Sequence, residues 1–172
     1  LTKNTQGAIE AFKQAVTLDP NYAPAQLELV DLELNTGQAD AALKRATDWR
    51  AAHPQTSVGD AMVGEVQFRQ RKFPEAAEAF GAGLKKQPTS ELLVRRVNAL
   101  VQAGEGSQAE TELKDWIAAH KNDAQARFAL ASLYMSTKRY DLALSEHEAL
   151  QAELKDNPVL LNNLAWLYGQ KG

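Results

Sequence analysis

Three histidines and the carboxylates near them are the residues of this 172-residue sequence best suited to chemistry. Imidazole nitrogens and carboxylate oxygens can bind a metal ion or transfer a proton, provided that their side chains converge. Glu146 and Glu148 flank His147. Adjacent residues on a helix point in different directions, so this group lacks the i, i+4 pair of ligands that a helical metal site uses. We therefore expect no metal ion at His147.

The sequence contains no short motif of the common nucleotide-binding, hydrolase or zinc-protease sites, namely GxGxxG, GxxxxGK[ST], GxSxG and HExxH. Gly104-Glu105-Gly106 resembles a glycine-rich loop only weakly, since no strand precedes it. The absence of cysteine excludes disulfides and thiolate metal ligands, and it is compatible with either redox compartment. We expect a protein that is not an enzyme and binds no cofactor.

Charge and hydropathy narrow the choice of partner. The net charge of −3 and the pI of about 5.7 argue against nucleic acid, because nucleic-acid-binding domains present a basic surface. No apolar run approaches the roughly 18 residues of a membrane-spanning helix, and no signal-peptide core is present. The sequence begins with Leu1 rather than Met, so we expect any targeting segment to lie outside it.

A repeat of about 34 residues organises the chain, an interval typical of repeated helix pairs. Three prolines recur with this period, Pro20, Pro54 and Pro88. Alanines follow it to within a single position, at Ala8, Ala42, Ala76, Ala109 and Ala143. Apolar residues at three- and four-residue steps predict two helices in each repeat, and Gly37 and Gly104 mark the predicted turns between them. The predicted segments are 1–20 (a second helix), the whole repeats 21–54, 55–88, 89–121 and 122–155, and 156–172 (a first helix).

The repeat at 89–121 is one residue shorter than the others. Gly104 and Ala109 keep the five-residue offset of Gly37 and Ala42, so we place the missing residue near 89–91, before or within the first helix. The register of that helix is therefore left open.

Two tryptophan–histidine pairs occupy equivalent positions in different repeats. His53 and His120 lie two repeats apart, which is about 20 Å or more if each repeat adds one helix layer of roughly 10 Å. These histidines are too distant to share a metal ion. Trp49 and Trp116 precede them by four residues, and Gly83 holds the same position in the repeat between. We expect each indole to fill space between its helix and the following repeat.

Helix starts are predicted by capping pairs: Ser57 with Asp60, Ser107 with Glu110, and Asn157 with Pro158. In the last helix, the predicted inner face is Leu161, Leu164, Ala165 and Tyr168, and Gly172 is the predicted turn. No following helix would cover Leu161, Leu164, Trp166, Leu167 and Tyr168. Exposed apolar residues favour association, so self-association through the uncapped ends is expected.

The period, the glycine turn and the alanine followed four residues later by an apolar residue resemble the tetratricopeptide repeat (TPR) family. The resemblance covers essentially the whole sequence. It implies an all-α fold, a TPR α-solenoid in which about ten helices form antiparallel pairs in a right-handed superhelix. It also implies a single array over residues 1–172 whose first helices line a concave groove for a protein or peptide partner.

The resemblance carries the groove positions of the TPR family to twelve residues: Leu27, Asp31 and Leu34; Ala61, Glu65 and Phe68; Phe128, Ser132 and Met135; and Asn162, Trp166 and Gly169. Their i, i+4, i+7 spacing places each trio on one helix face. The groove is acidic near its start and apolar near its end, which suits a peptide with basic and apolar anchors. The alternative is that Phe68, Phe128 and Met135 pack against neighbouring repeats.

The segments ALKRATDWRAAHP and LLNNLAWLYGQKG resemble the TPR lipoproteins of bacterial PEP-CTERM/exosortase systems. This resemblance implies an interaction scaffold in exopolysaccharide or sorted-protein export, located in the periplasm or attached to the outer membrane. Two alternatives remain: a cytoplasmic TPR adaptor, and the substrate-binding superhelix of a larger enzyme. The sequence does not distinguish a peptide ligand from a polysaccharide.

Overall fold

The computed structural model describes residues 3–151 and 154–171, which form ten α-helices and no strand. The helices are α1 Lys3–Leu18, α2 Ala23–Asn35, α3 Ala39–Ala52, α4 Val58–Arg69, α5 Phe73–Lys86, α6 Ser90–Gln102, α7 Gly106–Ala119, α8 Ala124–Ser136, α9 Tyr140–Gln151 and α10 Pro158–Lys171. The predicted all-α fold of about ten helices is confirmed. The predicted turn at Gly172 lies outside the described residues. No helix in this part of the chain is long and apolar enough to cross a membrane.

The chain divides into two compact units, Leu1–Leu92 and Leu93–Gly172, with the boundary inside α6. In the first unit, each helix from α1 to α4 packs against the helix that follows it. In the second unit, α7 packs against α8, α8 against α9, and α9 against α10. Successive helices joined by short turns pack antiparallel, so each unit is built from helix hairpins. The single array over residues 1–172 stays a prediction.

The turn inside each helix hairpin has the same backbone geometry. Gly37 and Gly104 have φ angles of 77° and 85°, and Arg71 and Lys138, one repeat after each, have φ angles of 62° and 59°. Each turn closes with the double hydrogen bond of a Schellman motif, as in the bonds from Gln38 N to Glu33 O and from Gly37 N to Leu34 O. The glycine turns are confirmed. At the other two turns a side chain tolerates the left-handed conformation, at a cost of roughly 1 kcal/mol.

The missing residue of the short repeat lies in the loop between α5 and α6. Equivalent buried positions in the first helices show this. Val97 of α6 follows Gly64 of α4 by one residue less than the period of 34, whereas Ala131 of α8 follows Val97 by the full 34 residues. Helix α5 keeps the full period from α3, as in Ala42 and Ala76. The register of α6 therefore follows that of α8, and the predicted position of the missing residue agrees with this.

The first unit contains a core cluster with residues from four helices, α2 to α5: Val30, Ala42, Ala46, Trp49, Met62, Val63, Val66 and Ala79. Two glycines of α4 allow its close packing. A Cβ atom at Gly59 would lie 2.5 Å from the Arg50 Cα atom, and one at Gly64 would lie 2.7 Å from the Phe80 ring. Since real Cβ atoms do not approach other carbon atoms so closely, α3 and Phe80 occupy space that only glycine leaves free.

The predicted capping roles of Ser57 and Ser107 are wrong. Ser57 has helical dihedral angles and makes no cap, and its hydroxyl donates to Gln87 Oε1 at 2.8 Å. Asp60 is 2% exposed, and its Oδ2 atom lies 2.6 Å from Lys86 Nζ. Ser107 lies inside α7, which begins at Gly106. Ser57 and Asp60 instead bind Gln87 and Lys86 at the end of α5, because a buried polar group without a partner is costly.

The start of α10 agrees with the prediction, and its inner face differs. Asn157 Oδ1 accepts the backbone N–H groups of Val159 and Leu160 at 3.0 Å, so Asn157 is the N-cap. The buried residues are Leu160, Leu164 and Leu167. Of the predicted inner face only Leu164 is buried, because the i, i+4, i+7 stripe that packs on α9 starts one residue earlier.

Candidate functional site

A cleft in the second unit lies between α6 and α8, the first helices of two consecutive repeats. Its volume is about 430 Å³. Ten uncharged residues line it: Val94, Val97, Asn98, Val101, Gln125, Phe128, Ala129, Ser132, Leu133 and Ser136. The cleft therefore offers a ligand apolar surface together with neutral hydrogen-bonding groups. None of these lining side chains carries a full charge.

The structure brings two predicted groove residues, Phe128 and Ser132, together in this cleft. Met135 is half-buried and is not a lining residue. The opposite wall contains Val94, Asn98 and Val101 of α6, which the sequence prediction omitted.

The residues of that wall could have been predicted from their distance to the turn of the repeat. Leu27 lies ten residues before Gly37, and ten residues before Gly104 is Val94. Counting back from the turn would have placed the trio despite the missing residue, since the loss occurs before α6.

In the first unit, predicted groove residues occupy neighbouring helices. Leu27 (43% exposed) and Asp31 are exposed on α2, and Leu34 is half-buried. Ala61 and Glu65 are half-buried on α4. Because α2 packs on α4, residues one repeat apart come together on these two helices.

Two contacts define the end of this surface. Arg69 Nη2 donates to Asn35 Oδ1 at 2.7 Å, although the two residues are one repeat apart in sequence. The half-buried Phe68 ring packs edge-on against Phe73, with ring centroids 5.4 Å apart. Phe73 belongs to the same repeat as Phe68, so packing of Phe68 against a neighbouring repeat stays the alternative. Binding of a partner by these residues stays a prediction.

On α10, the predicted groove residues are exposed. Asn162 and Gly169 are exposed, and Trp166 is 43% exposed. The Trp166 ring packs edge-on against Tyr140 at 5.3 Å. Leu161 is also 43% exposed. Self-association through this face stays a prediction.

The Phe128 ring contacts a buried histidine. The ring centroids of Phe128 and His147 are 5.5 Å apart and the planes are inclined by 58°. His147 is 0% exposed, and among the described residues neither ring nitrogen has a hydrogen-bond partner. Burial lowers the pKa of this imidazole below its usual 6.5. Within residues 3–151 and 154–171, no three His, Asp or Glu side chains come together as a metal site would require.

His53 and His120 end their helices rather than form a site. Each ring stacks on the tryptophan four residues earlier, with centroids 4.0 Å apart for Trp49 and 4.1 Å apart for Trp116. Each Nδ1 atom lies 3.0 to 3.1 Å from the carbonyl oxygen of that tryptophan. The histidines thus satisfy backbone groups at the C-terminal ends of α3 and α7.

The two indoles differ in burial and in hydrogen bonding. Trp49 is 6% exposed within the core cluster, which confirms that it fills space, and its Nε1 has no partner in the described part of the chain. Trp116 is half-buried, and its Nε1 donates to Asp123 Oδ2 at 2.6 Å. Asp123 in turn caps α8 by accepting the Ala126 N–H. The same sequence motif therefore has two different structural roles.

Glu110 of α7 links its own helix to α8 and to the turn that follows α8. Its carboxylate lies 2.6 Å from Lys114 Nζ and 2.7 Å from Arg139 Nη1, and it accepts a 3.2 Å hydrogen bond from the Tyr134 hydroxyl. The Arg139 guanidinium lies over the Tyr134 ring at 4.6 Å. The hydrogen bond from Lys114, together with those from Arg139 and Tyr134, lowers the pKa of Glu110 from 4.5 to about 2. The sequence prediction gave this residue only a capping role.

We expect Glu110→Gln to destabilise the protein by about 1 to 2 kcal/mol at pH 7 and by almost nothing at pH 2. A carboxyl with a lowered folded-state pKa stabilises the fold above its unfolded pKa near 4.5, and this contribution is lost as the pH falls to about 2. Urea unfolding at both pH values measures the difference. Exposed Glu78→Gln is the control. An equal loss at both pH values would contradict the electrostatic role.

The chain is similar to known proteins in both sequence and fold. Two family models described as tetratricopeptide repeat match residues 2–64 and 94–158. The crystal structure of TTC0263, a thermophilic TPR protein of Thermus thermophilus, is 22% identical with a TM-score of 0.74, covering 95% of this chain and 90% of that one. YrrB, described as a TPR protein with an unusual peptide-binding site, is 20% identical with a TM-score of 0.62, covering 95% and 84%.

Two curated relatives are longer than this chain. Cellulose synthase operon protein C of Xanthomonas axonopodis pv. citri (strain 306) is 28% identical over 96% of this chain and 12% of its own length. Small glutamine-rich tetratricopeptide repeat-containing protein 2 of Mycosarcoma maydis is 25% identical over 72% of this chain and 33% of its own length. The chain therefore spans a third or less of these relatives.

Proposed function

We propose, because this chain belongs to the tetratricopeptide repeat family, that it is a non-catalytic scaffold whose cleft between α6 and α8 binds an extended segment of a protein partner. TPR proteins are generally interaction scaffolds without catalytic activity. The observation that carries the proposal is the cleft itself, with a volume of about 430 Å³ and ten uncharged lining residues.

The chemistry of the cleft suits a peptide with apolar side chains. Val94, Val101 and Phe128 supply apolar surface, and Asn98 and Ser132 are exposed beside them. Amide and hydroxyl groups can bond the backbone of an extended chain, while apolar pockets accept its side chains. The apolar side chains of the partner therefore bind in the cleft.

The first unit has a different chemistry at the equivalent positions. Asp31 is exposed on α2 and Glu65 is half-buried on α4, so negative charge replaces the amide and hydroxyl found in the cleft. A surface of this kind favours basic side chains. We assign it the basic anchors of the partner.

Selection from a library of random peptides tests the cleft. We expect enriched peptides to carry aliphatic or aromatic residues, and Val101→Glu to weaken their binding about tenfold or more, because a charge in an apolar cleft is poorly solvated. Gln102→Glu adds the same charge at an exposed position outside the cleft and is the matched control. Equal binding by both variants, or no enriched peptide, would count against the cleft.

For the cellular context, we propose export of exopolysaccharide or sorted proteins in the bacterial envelope, at a periplasmic or outer-membrane-attached location. The support is the similarity to Cellulose synthase operon protein C together with the Asp-Trp and Asn-Asn-Leu-Ala-Trp segments. The alternative is a cytoplasmic TPR adaptor. Fractionation of source cells with an antibody against this chain separates them, since signal confined to the cytosol would eliminate the envelope proposal.

A further inference from the structure

His147 is a fully buried polar side chain without a hydrogen-bond partner among the residues that the structure describes. An unsatisfied buried polar group costs about 1 to 3 kcal/mol relative to a bonded one. The equivalent position of the other repeats is filled by Ala46, Phe80 and Leu113, each at most 1% exposed. An apolar residue therefore serves the packing at this position. Packing therefore does not explain why a polar, titratable side chain occupies this position.

Phe128 connects this imidazole to the cleft. The Phe128 ring lines the cleft and also contacts the His147 ring, with centroids 5.5 Å apart. His147 itself is absent from the cleft lining and is 0% exposed. Phe128 thus separates the imidazole from the open space of the cleft.

The charged groups of the neighbouring helices have other partners. On α8, Arg127 Nη1 donates to Glu146 Oε2 at 2.9 Å. On α10, the Tyr168 hydroxyl donates to Glu148 Oε1 at 3.1 Å. Both carboxylates adjacent to His147 in sequence are therefore engaged by other helices.

Other titratable groups on these helices also lie in contacts of their own. Tyr134 of α8 donates to Glu110. On α9, Tyr140 packs against Trp166, and Asp141 has a partner of its own. None of these described groups bonds the imidazole, since both of its nitrogens lack a hydrogen-bond partner. A proton on His147 would therefore create a buried cation without a hydrogen-bonded counter-charge, which is costly unless water reaches it.

We propose that His147 is a positioning residue for the cleft: the neutral imidazole supports Phe128 in the cleft wall, and protonation of His147 displaces Phe128 and weakens peptide binding. This proposal rests on the function proposed above. Displacement of Phe128 is the direct route by which water from the cleft can solvate the charged ring. The aromatic face offers the cation some stabilisation, but it does not replace the lost hydrogen bonds.

An NMR titration from pH 7.5 to 4.5 tests the structural half of the proposal without a ligand. We expect the methyl signals of Val94 and Val101 and the ring signals of Phe128 to shift together with the His147 imidazole. His147→Leu copies Leu113 of the preceding repeat, and in this variant the cleft signals should stay constant over the same range. Cleft signals that never shift, or that shift equally in the variant, would overturn the proposal.

A binding titration tests the other half, with peptides selected from the random library as the probe. We expect the dissociation constant of the wild type to rise by about tenfold between pH 7 and 4.5, within the limit of tenfold per pH unit for one linked proton. In His147→Leu the rise should stay under about twofold. His120→Gln removes a histidine that lies outside the cleft and should keep the wild-type profile.

The two titrations distinguish the possible failures. If no peptide binds at pH 7.5, the proposed function fails, while the NMR titration still decides whether His147 positions Phe128. If peptides bind with the same pH profile in wild type and His147→Leu, the proposed function stands and the role of His147 is refuted.

Discussion

Trp49→Ala is expected to lower the free energy of unfolding by about 3 to 5 kcal/mol, the range for a large aromatic residue truncated in a core. Trp49 is 6% exposed and shares a cluster with Val30, Met62 and Val63. Loss of the indole would leave a cavity where α2, α3 and α4 meet. Urea unfolding followed by circular dichroism measures the change.

Trp116→Ala is the matched comparison because it changes the same sequence motif. Trp116 is half-buried, and its Nε1 bonds Asp123. We expect a loss of about 1 to 2 kcal/mol, mainly from that hydrogen bond and from partial burial. A loss for Trp49→Ala below about 1 kcal/mol would contradict its role in the core.

Gly59→Ala is expected to destabilise the first unit by about 2 to 4 kcal/mol, although alanine favours helices over glycine by about 1 kcal/mol. The new Cβ atom would lie 2.5 Å from Arg50 Cα and 2.8 Å from Arg50 N. Backbone atoms cannot rotate away as a side chain can. Helices α3 and α4 would have to separate, which disturbs the adjacent core.

Gly7→Ala is the control for this substitution. Gly7 lies within α1, and a Cβ atom there would meet nothing within 4 Å. Only the helix preference remains, so we expect a gain of up to about 1 kcal/mol. Thermal melts of the two variants against wild type give the comparison. A stabilised Gly59→Ala variant would show that the helices do not pack as closely as described.

Two of the turns could be predicted because they depend on local chemistry. Gly37 and Gly104 mark turns that need a left-handed residue. Arg71 and Lys138 adopt the same conformation without any local signal for it, so only the period locates those turns. Ser57 shows the opposite case, since its spacing to Asp60 favours a cap while tertiary partners take both side chains.

At the site, two of the ten residues that line the cleft were predicted, and the wall formed by α6 was missed for a specific reason. Phe128 and Ser132 follow from the family spacing, whereas Val94 and Asn98 were lost with the open register of α6. The burial of His147 was hidden because its neighbours in sequence are glutamates. Alignment by repeat position would have indicated it, since Ala46, Phe80 and Leu113 at the equivalent positions are all apolar.

The four left-handed turns allow the chain to be changed by whole helix pairs. Gly37, Arg71, Gly104 and Lys138 direct the chain from one helix into the next along the same path, whatever the side chain. A helix pair bounded by two such turns can therefore be duplicated, deleted or exchanged without altering the backbone geometry of its joints. Growth by whole pairs changes the number of surfaces that the protein presents while leaving each joint intact. The backbone angle of the turn, rather than its residue, is what a graft into this chain must reproduce.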